Sequence, residues 1–283
     1  MAVRIITDSS ADFDPAAAKS QGVEIVPMTI QFGGMSYLDG VSISHDDFYR
    51  LLQEDKMTPS TSQPTPAEFL PLFEEAKAAG DEVVIVLLSG ELSGTLQSAV
   101  IAKDMCGYDP ICIVDSRTAT AGIQILVSHA CQLRDSGLRA EAIARELECL
   151  KDRVRIFAVM DTLEYLHRGG RLSGFQAGLG AVTKLKPVVA VRGGQVSVAA
   201  KAFGLSAGVR QLLRMLADHP IDDGFPVYFL YADDKSREEL LLPRMEEAGI
   251  LPQRLQYCSI GPTIGTHAGL GALGLAYVER EGR

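Results

Sequence analysis

The chain has 283 residues, 47% hydrophobic and 22% charged, which suits one large or two moderate globular domains with a sizeable core. A net charge of -9 disfavours nucleic-acid binding, which relies on neutralising phosphates. The five cysteines (Cys106, Cys112, Cys131, Cys149 and Cys258) are odd in number, lack CxxC spacing and lie mostly in apolar runs, so they suggest a reducing compartment without disulfides or a metal site. No stretch reaches the roughly 18 apolar residues of a membrane span. The first apolar run is short and interrupted by Arg4, unlike a signal peptide. A soluble, cytoplasmic protein without stable membrane insertion is expected.

The first half alternates strand and helix signals. Residues 3–7 form a β-branched run, and 23–30 a second apolar run. Gly33-Gly34 between 29–32 and 35–38 is a two-residue hairpin signal. Ser44 opens a short helix through Leu52. Thr65-Pro66-Ala67-Glu68 opens another: Thr65 caps, Pro66 takes the first turn and Glu68 reaches back. The EVVIVLL run at 82–88 lacks alternation, as in a parallel strand buried on both faces. A helix at 93–106, a strand at 111–114 and helices at 118–134 and 139–151 follow. This βαβα order implies a mainly parallel, doubly wound sheet.

From Val154 the rhythm changes. A strand is expected at 155–160, a short helix at 162–167 and a Gly-rich stretch at 169–180. Gly193-Gly194 separates two further strand-like runs, 186–192 and 195–201. Helices at 206–216 and 236–248 alternate with strands at 227–231 and 255–260, and the apolar tail at 272–278 suits strand or helix. The boundary is set near Asp152–Arg153. This gives an N-terminal α/β domain over 1–152 and a C-terminal mixed α/β domain over 153–283.

Four segments carry residues suited to chemistry. Ser89-Gly90-Glu91-Leu92-Ser93-Gly94-Thr95 lies where a buried strand gives way to a helix, where unpaired N–H groups favour an anion. Ser93 there either meets a ligand or caps the helix. The hydroxyl-rich, proline-stiffened loop 58–66 contains Thr61 and Ser62, and reads equally as a connector. Arg171 follows the Gly169-Gly170 turn, pointing back into a cleft or out to solvent. The segment 260–271 surrounds His267 with glycines and a proline, and is expected to make unusual turns around a histidine able to donate to an anion. No P-loop, no GxGxxG after the first strand and no GxSxG elbow is present, which argues against a kinase, a nicotinamide enzyme and an α/β hydrolase.

Together these segments resemble the DegV family of bacterial fatty-acid-binding proteins. The matching pieces are TDSSAD at 7–12, TSQPTPAEF at 61–69, SGELSGTLQSA at 89–99, Asp115-Ser116, LEYLHRGGRLS at 163–173, Lys186-Pro187 and IGPTIGTHAGLGA at 260–272, in the family's order. The resemblance implies a two-domain fold with a fatty acid between the domains. It places Thr61, Ser93, His267 and Arg171 around the carboxylate, with Ser62, Gly94, Thr95, Gly265 and Thr266 supporting them. It also implies a carrier without catalysis or cofactor of its own, whose partners are a long-chain fatty acid and a separate fatty-acid kinase that phosphorylates the bound acid for phospholipid synthesis.

Two departures stand out. Leu270 replaces the proline of the usual GTHxGPGA, and 200–209 is uncharged apart from Lys201, where many members carry basic residues. The second departure bears on the kinase and not on the lipid. The alternative to a carrier is an acyl-transfer or hydrolytic enzyme using Ser93 and His267. A phosphate-ligand binder rests only on the helix start after Leu92. The helix face at 119–127 and the stretch 175–182 are candidates to line an acyl tail.

Overall fold

The computed structural model describes residues 2–54, 57–172 and 185–282. Strand β1 (Val3–Asp8) leads through a one-turn 3-10 helix (Ser9–Ala11) and helix α1 (Pro15–Ser20) to β2 (Val23–Val26). The hairpin β3 (Thr29–Phe32) and β4 (Met35–Leu38) is followed by α2 (His45–Glu54), β5 (Ser60–Ser62), α3 (Pro66–Ala79) and β6 (Glu82–Leu87). Helix α4 (Thr95–Cys106), β7 (Ile111–Asp115), α5 (Ala121–Asp135) and α6 (Ala140–Leu150) complete the first half. The second half contains β8 (Val154–Val159), α7 (Glu164–Arg168), β9 (Leu185–Arg192), β10 (Gln195–Phe203), α8 (Leu205–Asp218) and β11 (Val227–Tyr231). Helix α9 (Glu238–Glu247), β12 (Leu255–Ser259), α10 (Pro262–Ala268) and β13 (Leu273–Val278) end the described chain.

The fold is mixed α/β. Strands β2-β1-β6-β7 make a parallel sheet, and β6 is buried along its whole length. Its alternate residues explain the unbroken apolar run. Val83, Ile85 and Leu87 pack on Phe69 and Phe73 of α3 and on Ala99 and Ala102 of α4. Val84 and Val86 face the opposite layer, with Ile123 and Leu126 of α5 and Ile143 and Leu147 of α6. Burial on both faces keeps 83–87 apolar; the one charged residue, Glu82 at the strand's start, pairs with Arg139 and accepts the Ala140 amide at 2.9 Å. The Glu68 carboxylate accepts the Thr65 amide at 2.7 Å, so α3 begins where the sequence places it.

The second sheet has the order β10-β9-β8-β13-β11-β12 and is mixed, with only β11 and β12 parallel. The apolar tail is its strand β13, inserted between β8 and β11 and antiparallel to both. Phe157, Val159, Leu273 and Leu275 turn towards α8 and α9. Ile156, Ala158, Val189 and Val191 turn the other way, into the core shared with α5 and the parallel sheet. All strands of the parallel sheet precede residue 152, and all strands of the mixed sheet follow it.

The apolar run at 23–30 holds β2 and the start of β3, divided at Pro27, and Met28 donates its amide to the Ser9 hydroxyl at 3.0 Å. Two local expectations are corrected. The loop at 58–66 contains β5, which closes a small antiparallel sheet, β4-β3-β5, with Thr61 opposite Ile30. The segment around His267 is not a run of turns. It is helix α10, begun by Pro262 at its first turn, and the unusual geometry is confined to Gly269 (φ 71°) and Gly271 (φ 72°) after it. Helix α10 packs against α2, α7, β3 and β5.

Candidate functional site

A cavity lies between the two main sheets. One wall is the inner face of the mixed sheet, with Ile156 and Ala158 of β8, Val189 and Val191 of β9, Val196 of β10 and Leu230 of β11. The alternation along β8 and β9 is that of a strand with one face turned to the lumen. Leu88, Leu92 and Ala119 close it from the parallel sheet, and Leu166, Ile264 and Ala268 from α7 and α10. Against this apolar lining stand the side chains of Thr61, Ser93, Thr120, Arg171, Thr263 and His267.

Each polar side chain is delivered by a distinct element. Helix α10 presents Thr263, Ile264, His267 and Ala268 on one face, as helical spacing requires. Its other face carries Gly265, where a Cβ would stand 2.8 Å from Phe48 and from the Tyr49 hydroxyl of α2. Thr266 turns inward and donates its hydroxyl to the Pro262 carbonyl at 2.9 Å. Strand β5 brings Thr61 to the cavity, while Ser62 points to the exposed side. Ser93 does both things the sequence allows: its Oγ accepts the Thr95 amide at 3.3 Å at the start of α4, and it lines the cavity. Thr95 is buried and its hydroxyl is 2.8 Å from that of Ser93, behind the lining. Gly94 lets the Gln63 side chain close on the loop, since a Cβ there would lie 2.4 Å from it.

Arg171 turns inward. Gly170 adopts φ 68° and ends α7, after which the Arg171 Nε donates to the Leu92 carbonyl at 3.0 Å and Nη1 to the Gly169 carbonyl at 2.6 Å. The guanidinium is thus fixed to the Ser93 loop. His267 Nε2 lies 3.1 Å from the Thr61 hydroxyl. Its Nδ1 is buried without a partner among the described residues, where a Cβ on Gly169 would be only 2.2 Å away. Burial, and secondarily the charge of Arg171, push the imidazole pKa down to about 4, so the ring is neutral at pH 7. An Nδ1–H would be a buried donor with no acceptor. The proton therefore belongs on Nε2, facing Thr61 and the cavity.

Thr61, Ser93, Arg171 and His267 thus meet at one cavity. Ser62, Gly94, Thr95, Gly265 and Thr266 do not line it; they shape the loops and the helix behind it. Thr120, from the stretch 119–127, and Thr263, from the segment around His267, join those four as polar lining residues that the sequence did not single out individually. Thr120 sits beyond the carboxyl end of a parallel strand, a position where ligands gather, and adopts φ 45°, a costly conformation for a β-branched residue. Thr263 lay in the segment read for its histidine alone. Of the helix face at 119–127, only Ala119 and Thr120 line the cavity, because the remaining apolar residues of α5 pack in the core between the sheets. The stretch 175–182 lies outside the described residues. Among the described residues no cluster of His, Cys, Asp and Glu is arranged to hold a metal ion, and no helix is long and apolar enough to cross a membrane.

The Ser93 hydroxyl pairs with that of Thr95 and the His267 Nε2 with the Thr61 hydroxyl, and among the described residues no carboxylate pairs with Nδ1. What the fold and cavity define is a mixed α/β protein with an apolar chamber between two sheets, bordered by hydroxyls, an imidazole and a guanidinium. The chain belongs to the DegV family: the model described as uncharacterised protein, DegV family COG1307, matches residues 2–280. It is similar to a DegV domain-containing protein of Caldanaerobacter subterraneus subsp. tengcongensis, 36% identical over 280 residues, covering 98% of this chain and 99% of that one. A solved DegV family protein from Thermus thermophilus, studied for fatty acid binding, matches with a TM-score of 0.88 at 31% identity, covering 98% of this chain and 100% of that one. A stearic-acid-binding protein from Eubacterium ventriosum matches with a TM-score of 0.88 at 26% identity, covering 99% of this chain and 98% of that one. DegV from Bacillus subtilis, a fatty acid binding protein, matches with a TM-score of 0.84 at 28% identity, covering 99% of this chain and 100% of that one.

Proposed function

We propose that this protein is a non-catalytic carrier that binds a long-chain fatty acid between units 1–152 and 153–283, with its carboxylate at Thr61, Ser93, Arg171 and His267. The observation that carries this reading is the meeting of those four side chains at one apolar cavity. Each buried methylene contributes about 0.8 kcal/mol, so a tail of some 14 gives on the order of 10 kcal/mol before ordering costs. Each hydrogen bond to the charged head adds only about 1.5–3 kcal/mol. The tail supplies most of the affinity; the polar side chains set orientation and the preference for an acid. Arg171 supplies the positive charge, and neutral His267 and the two hydroxyls supply donors.

The test is native mass spectrometry of the purified protein, before and after delipidation and incubation with oleate or palmitate. An adduct of fatty-acid mass is expected, and a protein that stays empty under both conditions overturns the reading. Incubation with an acyl ester is expected to give no turnover dependent on Ser93.

We further infer, from the family resemblance, a cytoplasmic role in which the bound carboxylate is presented to a separate fatty-acid kinase for phospholipid synthesis. Formation of acyl phosphate by a family kinase only in the presence of the loaded carrier supports this step. Its absence removes the kinase while leaving the binding reading intact.

A further inference from the structure

Asp39 follows β4 and is 3% exposed; it does not itself line the cavity but bonds directly to Thr263, which does. Its Oδ2 accepts the Ser9 hydroxyl at 3.1 Å, the Thr263 amide at 3.2 Å and the Thr263 hydroxyl. Thr263 is the second residue of α10, four positions before His267. One turn of helix therefore links this carboxylate to the imidazole. The flanks of α10 are set by packing, Gly265 against α2 and His267 against Gly169; at its amino end this oxygen holds Thr263, while the Tyr49 hydroxyl donates to the Ile260 carbonyl at 2.8 Å just before the helix.

We propose that Asp39 is a positioning residue for the carboxylate site: by holding Thr263 it sets where His267 presents Nε2 to Thr61 and the cavity. The inference rests on the fatty-acid reading and adds a pH dependence to it. All three donors converge on Oδ2, so protonation of the carboxyl turns a charge-assisted acceptor into a neutral, weaker one. Burial holds the Asp39 carboxyl up at about 6. The Thr263 and Ser9 donors pull it down, but by less than burial pushes it up. Asp8 at the end of β1 and Asp12 at the end of the 3-10 helix are themselves acidic and raised by burial. His45 of α2, held below its usual range by burial, and Lys19 of α1 line the same recess.

The sign separates grip from fold. A carboxyl raised from 3.8 to about 6 takes up its proton in the folded chain first, so acidification through that range does not cost global stability through this group. It loosens α10 instead. Retention of the acid is strongest above this pKa and weaker below it.

The experiment measures the affinity of the full chain for cis-parinaric acid between pH 8 and 5. Wild type, Asp39→Asn and Thr263→Val are compared, and 15N shifts of the His267 ring are recorded for each. Wild type is expected to lose about tenfold in affinity across the step, the equivalent of one charge-assisted hydrogen bond. Asp39→Asn keeps an acceptor but cannot ionise, so it is expected to bind at the wild type's acidic level throughout and to shift the ring signals. If Asp39→Asn fails to fold by circular dichroism, Thr263→Val, which keeps the carboxylate, decides by weakened affinity and moved ring signals. Wild-type affinity, an unchanged pH profile and unmoved ring signals in the folded variants overturn the proposal. A wild type that takes up no cis-parinaric acid at any pH overturns the fatty-acid reading instead.

Discussion

The hydroxyl of Thr61 on β5 lies 3.1 Å from Nε2 of His267 on α10, joining residues 206 positions apart in the chain. Strand β5 is held by β3 and helix α10 by α2, α7 and Asp39, so the contact has support on both sides. In the proposed carrier this pair faces the carboxylate together with Arg171.

Removing either member weakens acid binding. His267→Ala and Thr61→Val are each expected to cost on the order of tenfold to a hundredfold in fatty-acid affinity. The matching alcohol, which lacks the charge, is expected to be far less affected. Fluorescent-ligand titration of both ligands checks this, and equal losses for acid and alcohol remove these residues from the head-group site.

Gly169→Ala acts through the histidine. Its Cβ would stand 2.2 Å from His267 Nδ1, so the ring must shift away from Gly169 and out of its present geometry with Thr61. A cost of about 1–3 kcal/mol in stability from overpacking, and weakened acid binding, are expected. In a His267→Ala background the substitution is expected to lose its effect on binding, because the clash is gone. Additive losses in the double variant refute the link.

Ala158→Phe tests the tail wall. Ala158 sits mid-strand on β8, with its side chain at the cavity. A larger ring there is expected to shift preference towards shorter acids while leaving the acid-over-alcohol preference unchanged. Competition between acids of different length provides the measurement, and an unaltered length preference places the tail elsewhere.

The pKa of His267 predicts a stability change with pH. The folded chain holds the ring neutral down to about 4, whereas the unfolded chain protonates it near 6.5. Acidification from 6.5 to 4 therefore favours the unfolded state, by at most on the order of 3 kcal/mol. His267→Gln removes this dependence. Urea unfolding at pH 7 and pH 5 is expected to show the variant gaining on wild type as the pH falls, and a pH-independent difference between them contradicts the assignment.

Much of the architecture was legible locally. The EVVIVLL run of β6, the Gly33-Gly34 and Gly193-Gly194 turns and the box at Thr65 are written in adjacent residues, and the elements follow within a few positions. Strand β5 was not legible, because three residues carry no period and their partners are on β3. Helix α10 was hidden by its glycines. Gly265 weakens helix propensity in isolation, but it is what admits the aromatic rings of α2.

The loop around Ser93 shows the same division. Local residues determined that it follows a buried strand and opens a helix, and that its hydroxyl has a cap to make. Whether that hydroxyl also meets a cavity depended on the mixed sheet that forms the opposite wall. The sequence by itself determined the family, the layers and the identity of Thr61, Ser93, Arg171 and His267 as residues of interest. Only the tertiary structure brought them together, turned Arg171 inward onto Leu92, and brought Asp39, Thr120 and Thr263 into the account. The physical reason is range: helix caps, turns and strand alternation act over a few residues. A cavity wall and a buried carboxylate are made by groups distant in the chain, and these become neighbours only once the sheets have packed.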